Sequence, residues 1–197
     1  NGALDLAVNL ERDAGAADTL RVGAKGDAAG GTLDLDLLSR AGRIDTLDLT
    51  IATANAAPWF GRTDVPALRR PGYLRIAGVP APSDGTASPG GLALRLSGTV
   101  ADITVATVQP ILLDAAEPLP RAGALQFALP DLAPLLTLAG SAVPIPGPLP
   151  ADLGLRLSRA GPDLRLGVVG RIAGQPVSAD LTRTAEGAIG GRLASMR

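Results

Sequence analysis

The feature that most constrains this chain is a period-two apolar pattern that stops at a proline-containing helical turn and later begins again. Leu4, Leu6, Val8 and Leu10 alternate with polar or small residues near the start, and Leu153, Leu155 and Leu157 do so near the end. Alternation sends one face of a pleated strand to an apolar side and the other to water. Each run leads into a related turn and strand: Gly26 to Leu37 aligns without gaps on Gly170 to Leu181. A chain that repeats one supersecondary unit acts through an extended surface more readily than through a catalytic point.

Four strands are expected in the first meander, over Leu4 to Leu10, Thr19 to Gly26, Thr32 to Leu38 and Ile44 to Thr53. Turn residues separate them: Asp13 and Gly15, Gly30 and Gly31, Ser39 and Gly42. Connections this short make antiparallel pairs, since parallel crossovers need a dozen residues or more. The pattern then breaks into Asn55-Ala56-Ala57-Pro58-Trp59-Phe60, a helical turn with Asn55 placed as cap. Trp59 and Phe60 read either as a plug over a sheet end or as a partner contact.

Residues 63–123 are less regular. Pro66, Pro71, Pro80, Pro82 and Pro89 flank a strand from Tyr73 to Gly78, and Ser83 to Gly90 reads as a flexible loop. Strands resume at Leu92 to Ser97, Asp102 to Val108 and around Leu125, Phe127 and Leu129. Asp131 to Gly140 reads as a short apolar helix with Asp131 as cap. A proline-rich stretch then leads into strands at about Ala151 to Ser158, Asp163 to Gly170, Gln175 to Thr182 and Gly187 to Leu193. The turn at Asn55 to Phe60 resembles Asp131 to Leu136, and Thr107 to Leu112 reads as a degenerate third copy of it. Three segments follow: a first meander with its helical turn (1–62), a Pro-rich insertion with strands (63–123), and a second helix and meander (124–197).

Composition narrows the chemistry. The 18 basic and 19 acidic residues leave a net charge of −1, and only two Phe, one Tyr and one Trp are present. Neither the field nor the stacking platforms of a nucleic-acid binder exist, so nucleic acid is not an expected partner. His and Cys are absent, which removes imidazole bases, thiol nucleophiles and the ligands of most zinc and copper sites. No enzyme, cofactor, catalytic residue or metal site is expected. Asp34, Asp36 and Asp48 form an acidic group on the wet strand face, weighed as a calcium site or paired-carboxylate centre against a solvated surface; the spacing matches no calcium loop. Arg69 and Arg70 are weighed the same way, as lipid head-group contacts or a solvated loop pair. Apolar stretches fall short of a membrane span. The chain enters a strand directly after Asn1-Gly2 and reads as a processed or excised segment whose anchor or signal lies elsewhere.

The short helix Asp131, Leu132, Ala133, Leu135, Leu136, Gly140, then Pro144 and Gly147-Pro148-Leu149, followed by strands with Leu at alternate positions, resembles the C-terminal repeat region of AsmA-like proteins. TamB-type proteins share the broader architecture. The resemblance covers Leu125 to Leu193 and, more weakly, Leu4 to Phe60. It implies a mostly β fold: antiparallel meanders in a long curved repetitive sheet, a groove or open sandwich, with short helices between repeats. It further implies a periplasmic protein of a Gram-negative cell envelope, anchored in the inner membrane through a segment outside this chain. The implied role is phospholipid transport between the membranes, or outer-membrane assembly and maintenance. Phospholipid or another acyl lipid is the expected ligand, with envelope proteins as candidate partners. The candidate lipid-groove lining is Leu4, Leu6, Val8, Leu33, Leu35, Leu37, Leu153, Leu155, Leu157, Leu164 and Leu166. The same leucines could instead fill the core of a closed interaction module; a seven-residue strand spans about 23 Å and suits either.

Overall fold

The computed structural model describes residues 5–12, 18–28, 30–61, 65–82, 91–114, 117–138, 147–184 and 189–195. Twelve strands form one open antiparallel sheet in strict chain order. They are β1 (Asp5–Arg12), β2 (Thr19–Ala28), β3 (Gly31–Arg40), β4 (Arg43–Thr53), β5 (Gly72–Pro80), β6 (Leu92–Val100), β7 (Ile103–Asp114), β8 (Glu117–Leu129), β9 (Ala151–Ala160), β10 (Asp163–Ile172), β11 (Gln175–Arg183) and β12 (Ile189–Ser195). The one α-helix among the described residues, α1 (Ala133–Leu138), follows β8, and two 3₁₀ turns, Ala57–Phe60 and Pro66–Leu68, follow β4. The fold is the expected one: a long, mostly β meander with very little helix. No helix among the described residues is long and apolar enough to cross a membrane.

The sheet is built from a four-strand unit. Gly26, Gly98 and Gly170 stand 72 residues apart in each step, in the second strands β2, β6 and β10. Each meets the preceding strand in the same way: a Cβ there would lie 2.0, 2.1 or 2.0 Å from the carbonyl oxygen of Asp5, Tyr73 or Asp152. Only glycine lets the two backbones approach so closely. The turn after the second strand also recurs in the two later units. Ala101-Asp102 and Ala173-Gly174 both hold positive φ at two successive residues, the hairpin turn that matches strand twist. The Ala101 and Ala173 amides donate to the Pro71 and Pro150 carbonyls, tying this turn to the start of the same unit.

This register corrects one expectation. Thr107 to Leu112 is not a third helical turn; it lies within β7. The third copy is the strand unit itself, entered at β5. Pro110 is accommodated because the β7–β8 pairing shifts register at Thr107/Gln109 and Gln109/Leu112, and bulged positions relieve proline of a ladder amide. Strands β5, β6 and β7, all within 63–123, belong to the same sheet and pair with their neighbours, with a register shift between Leu94 and Ser97 in the β6–β7 ladder. The expected turn residues Asp13 and Gly15, the Ser83 to Gly90 loop, Gly140 and Pro144 lie outside the described residues.

The sealed core sits at one end of the sheet. Ala56, Ala57, Val65, Leu68 and Ala101 are buried together there, with Val100 against them. Local bonds place the covering turn: the Ala57 amide donates to Asn55 Oδ1 at 3.1 Å and the Ala56 amide to the Arg70 carbonyl. The second unit repeats both contacts, with the Ala133 amide donating to Asp131 Oδ1 at 3.0 Å and Leu132 to the Leu149 carbonyl. Asn55 and Asp131 thus brace the turns from one residue ahead of the N-cap and are not the expected caps: the N-cap of the first turn is Ala56, which makes no side-chain capping bond. Trp59 packs over the start of β5, where a Cβ on Gly72 would meet its ring at 3.0 Å, while Phe60 stays exposed.

Candidate functional site: an apolar sheet face

Strand register brings the alternating residues into rows that run across the sheet. One row passes through Leu6, Gly26, Leu33, Ile51, Leu74, Gly98, Val105, Phe127, Leu153, Gly170 and Val177, one residue from each of β1 to β11. A parallel row holds Val8, Ala24, Leu35, Leu49, Ile76 and Leu96 from β1 to β6. It resumes with Leu125, Leu155, Val168 and Ala179 from β8 to β11. The polar residue between these halves is Thr107, opposite Leu125. Its hydroxyl takes the Leu96 amide at 2.6 Å and donates to the Leu96 carbonyl at 3.0 Å, so no unmet polar group interrupts the row.

Leu6, Val8, Leu33, Leu35, Leu37, Leu153, Leu155, Leu157, Leu164 and Leu166 share strand parity and fall on this one face. Leu164 occupies its rim, opposite Arg159 and Arg183. Leu4 lies outside the described residues. Among the ten that are described, none is buried: Val8 is 65% exposed and the other nine are half-buried. Each strand packs mainly against its neighbours in sequence, and β1 does not pair with β12. Twelve strands at about 4.8 Å spacing and three rows in height give an apolar face on the order of 1,000 Å². Isolated apolar patches on ordinary protein surfaces are smaller than this.

The middle of the face was missing from the sequence-based lining. Leu49, Ile51, Leu74, Ile76, Leu96 and Phe127 belong to the same rows as the candidates. Their signal was the alternation in β4 to β8 together with the recurrence of Gly98, which places these strands in register with the other units.

The opposite face carries paired charges, alongside the exposed Tyr73, Val79 and Val169. Asp36 and Asp48 are direct cross-strand partners, an arrangement that like charges disfavour. Arg21 resolves one side, donating through Nε and Nη2 to Asp36 at 3.2 and 2.7 Å. Arg75 resolves the other by the same two-pronged contact with Asp48. The arginine hydrogen bonds hold both carboxyls below the usual range, while Asp48 opposes that effect on Asp36. Lys25 reaches Asp34 at 2.7 Å. The acidic group is thus a set of three ion pairs, and the described residues contain no cluster of metal-ligand type. A depression of about 780 Å³ on this face is bounded by Arg21, Asp36, Asp48 and Arg75 together with the apolar Leu38 and Val79. Of the loop arginines, Arg70 is paired with Asp102.

Comparison with protein-family models, curated proteins and solved structures returns no match, so the AsmA-like resemblance stands on the residues and the meander alone.

Proposed function

We propose that this chain is a non-enzymatic, periplasmic segment of an AsmA-like protein, carrying phospholipid or other acyl chains between the inner and outer membranes on its apolar sheet face. The observation behind this reading is that the rows continue from strand to strand and that their residues, Ala24 and Val105 excepted, keep partial access to water. Leucines that served only a closed core would be covered by a second layer, and among the described residues none of the lining leucines is sealed.

Burying a methylene is worth about 0.8 kcal/mol, so a chain of about fifteen methylenes lying half-covered on the face gains on the order of 6 kcal/mol before ordering costs. Binding of that strength holds a lipid without trapping it. Because adjacent rows offer equivalent apolar contacts, an acyl chain can move across strands without meeting a polar barrier. No bond is made or broken, and no cofactor is needed. The inner-membrane anchor of this proposal lies in a segment outside the chain.

The test is mass spectrometry of lipid that co-purifies from a Gram-negative host without detergent. Phospholipid is expected at one or more molecules per chain, and Leu35→Asn with Leu155→Asn should remove most of it. A folded chain that carries no lipid would overturn the proposal.

A further inference from the structure

We propose that the rim of the apolar face at β8–β11 holds the phosphate of a lipid head group, so that a phospholipid lies along the strands with its head at this rim and its tails on the leucine rows. This deepens the transport reading and rests on it. The argument starts from one cross-strand row. Leu164 faces Arg159 on β9 and Arg183 on β11, and Arg183 faces Ile189 on β12. On β8, Ala122 faces Ser158, so the next residue toward the rim, Arg121, stands level with Arg159. The row from β8 to β12 therefore carries three arginines, two aliphatic residues and no acid. Asp163, beside Leu164 in sequence, alternates to the opposite face, where it faces Ala160.

Like charges on neighbouring strands repel, and a bound anion relieves that cost. Adjacent strands lie about 4.8 Å apart, so Arg121, Arg159 and Arg183 fall within about 15 Å along the row. The planar fork of arginine matches the oxygens of a phosphate ester. Arg159 is held at the rim, its Nε donating to the Gly161 carbonyl at 3.1 Å. A guanidinium has several more N–H donors, so such a bond positions the group without exhausting it. Arg121 and Arg159 are half-buried, as expected of stems laid along apolar surface with their charge at its border.

Below this rim the next row is Gly123, Leu157, Leu166 and Leu181. From Arg159 down β9 to Leu153 is about 20 Å at roughly 3.3 Å per residue, room for an extended acyl chain. At the far end of these strands the chain turns back through α1, with the Leu132 amide donating to the Leu149 carbonyl. The lipid thus has a polarity, tails toward α1 and head at the arginines. The other units supply the contrast. The corresponding row is Pro80, Leu92 and Leu113 in the middle unit and Arg12, Leu20 and Ser39 in the first. The cationic rim therefore belongs to one station on the sheet and not to the repeat.

The test uses the whole chain and two fluorescent lipids with identical tails, phosphatidylglycerol and diacylglycerol, the second of which lacks the phosphate. Phosphatidylglycerol should bind about tenfold tighter. Arg159→Gln with Arg183→Gln should remove that preference and leave diacylglycerol binding unchanged, whereas Arg159→Lys with Arg183→Lys should keep part of it. Arg12→Gln, in the corresponding row of the first unit, should change it less than about twofold. Added salt should shrink the preference as screening rises. Equal affinities for the two lipids, or a preference that survives the loss of Arg159 and Arg183, would overturn the head-group site. If both lipids still bind and Leu35→Asn with Leu155→Asn releases them, the transport reading stands without it. Binding of neither lipid would refute both. Glycerol phosphate that competed as well as the phospholipid would mark the rim as a site for a soluble phosphate ester and overturn the lipid assignment.

Discussion

The end of the sheet covered by the 3₁₀ turns and the middle of its apolar face use similar residues to opposite effect. At the covered end, Leu68 is 1% exposed and touches a cluster of alanines and valines. In the middle, Leu35 and Leu155 have lateral neighbours from adjacent strands but keep partial access to water. The difference lies in what the chain does between units. Asn55 and Asp131 turn it back over the sheet end, and nothing comparable among the described residues crosses the leucine rows. Ladder hydrogen bonds and small sealed clusters therefore hold the fold, leaving the rows as surface.

Paired substitutions can break that comparison. Leu68→Ala should cost about 3 kcal/mol, because a sealed leucine loses both its transfer energy and its filled space. Leu35→Ala should cost less, about 1–2 kcal/mol, since part of its surface already meets water and no enclosed cavity forms. Urea unfolding of the two variants measures the gap; equal losses would mean that the middle of the face is as sealed as the end.

Gly98→Ala probes the repeated close approach. With φ at +159° and the Tyr73 carbonyl 2.1 Å from the added carbon, it should destabilise by about 2 kcal/mol. Gly42→Ala, at a left-handed φ of +72° where a Cβ meets nothing within 4 Å, carries a backbone cost without a clash, and the same urea series should find it smaller.

The smallest effect concerns the charged face. Asp48 has a folded pKa below its ordinary value because Arg75 donates to it. Its contribution to stability is therefore present above about pH 4 and is lost as pH falls through the depressed folded value. Arg75→Gln should raise the Asp48 midpoint in an NMR titration. Its stability deficit relative to the unaltered chain should shrink in acid. A deficit that grew below pH 4 would reverse the assigned sign.

Much of this was readable in the residues. Leu33, Leu35 and Leu37 declared both a strand and its apolar side, and Asn55 and Asp131 marked where the chain turns, one residue ahead of the cap, because these signals are local. The middle unit was harder to see. Its first strand is followed by Pro80 and a longer connection, and its third strand contains Pro110, which reads as a strand breaker unless a bulge absorbs it. Alternation also could not say whether the dry side was covered. One apolar residue in two satisfies a sandwich core and an open face equally, and it takes the register of twelve strands to show a single open sheet with no second layer among the described residues.

The most direct test of the central claim is photocrosslinking from each side of the same strands. A benzophenone amino acid placed at Leu35 or Leu155 should form adducts with phospholipid acyl chains in cells, detected by mass spectrometry. The same probe at Asp34 or Arg156, on the charged face, should form at least tenfold fewer. Equal labelling of the two faces, or none at Leu35 and Leu155 in a folded protein, would contradict the assignment of the leucine rows as a lipid-bearing surface.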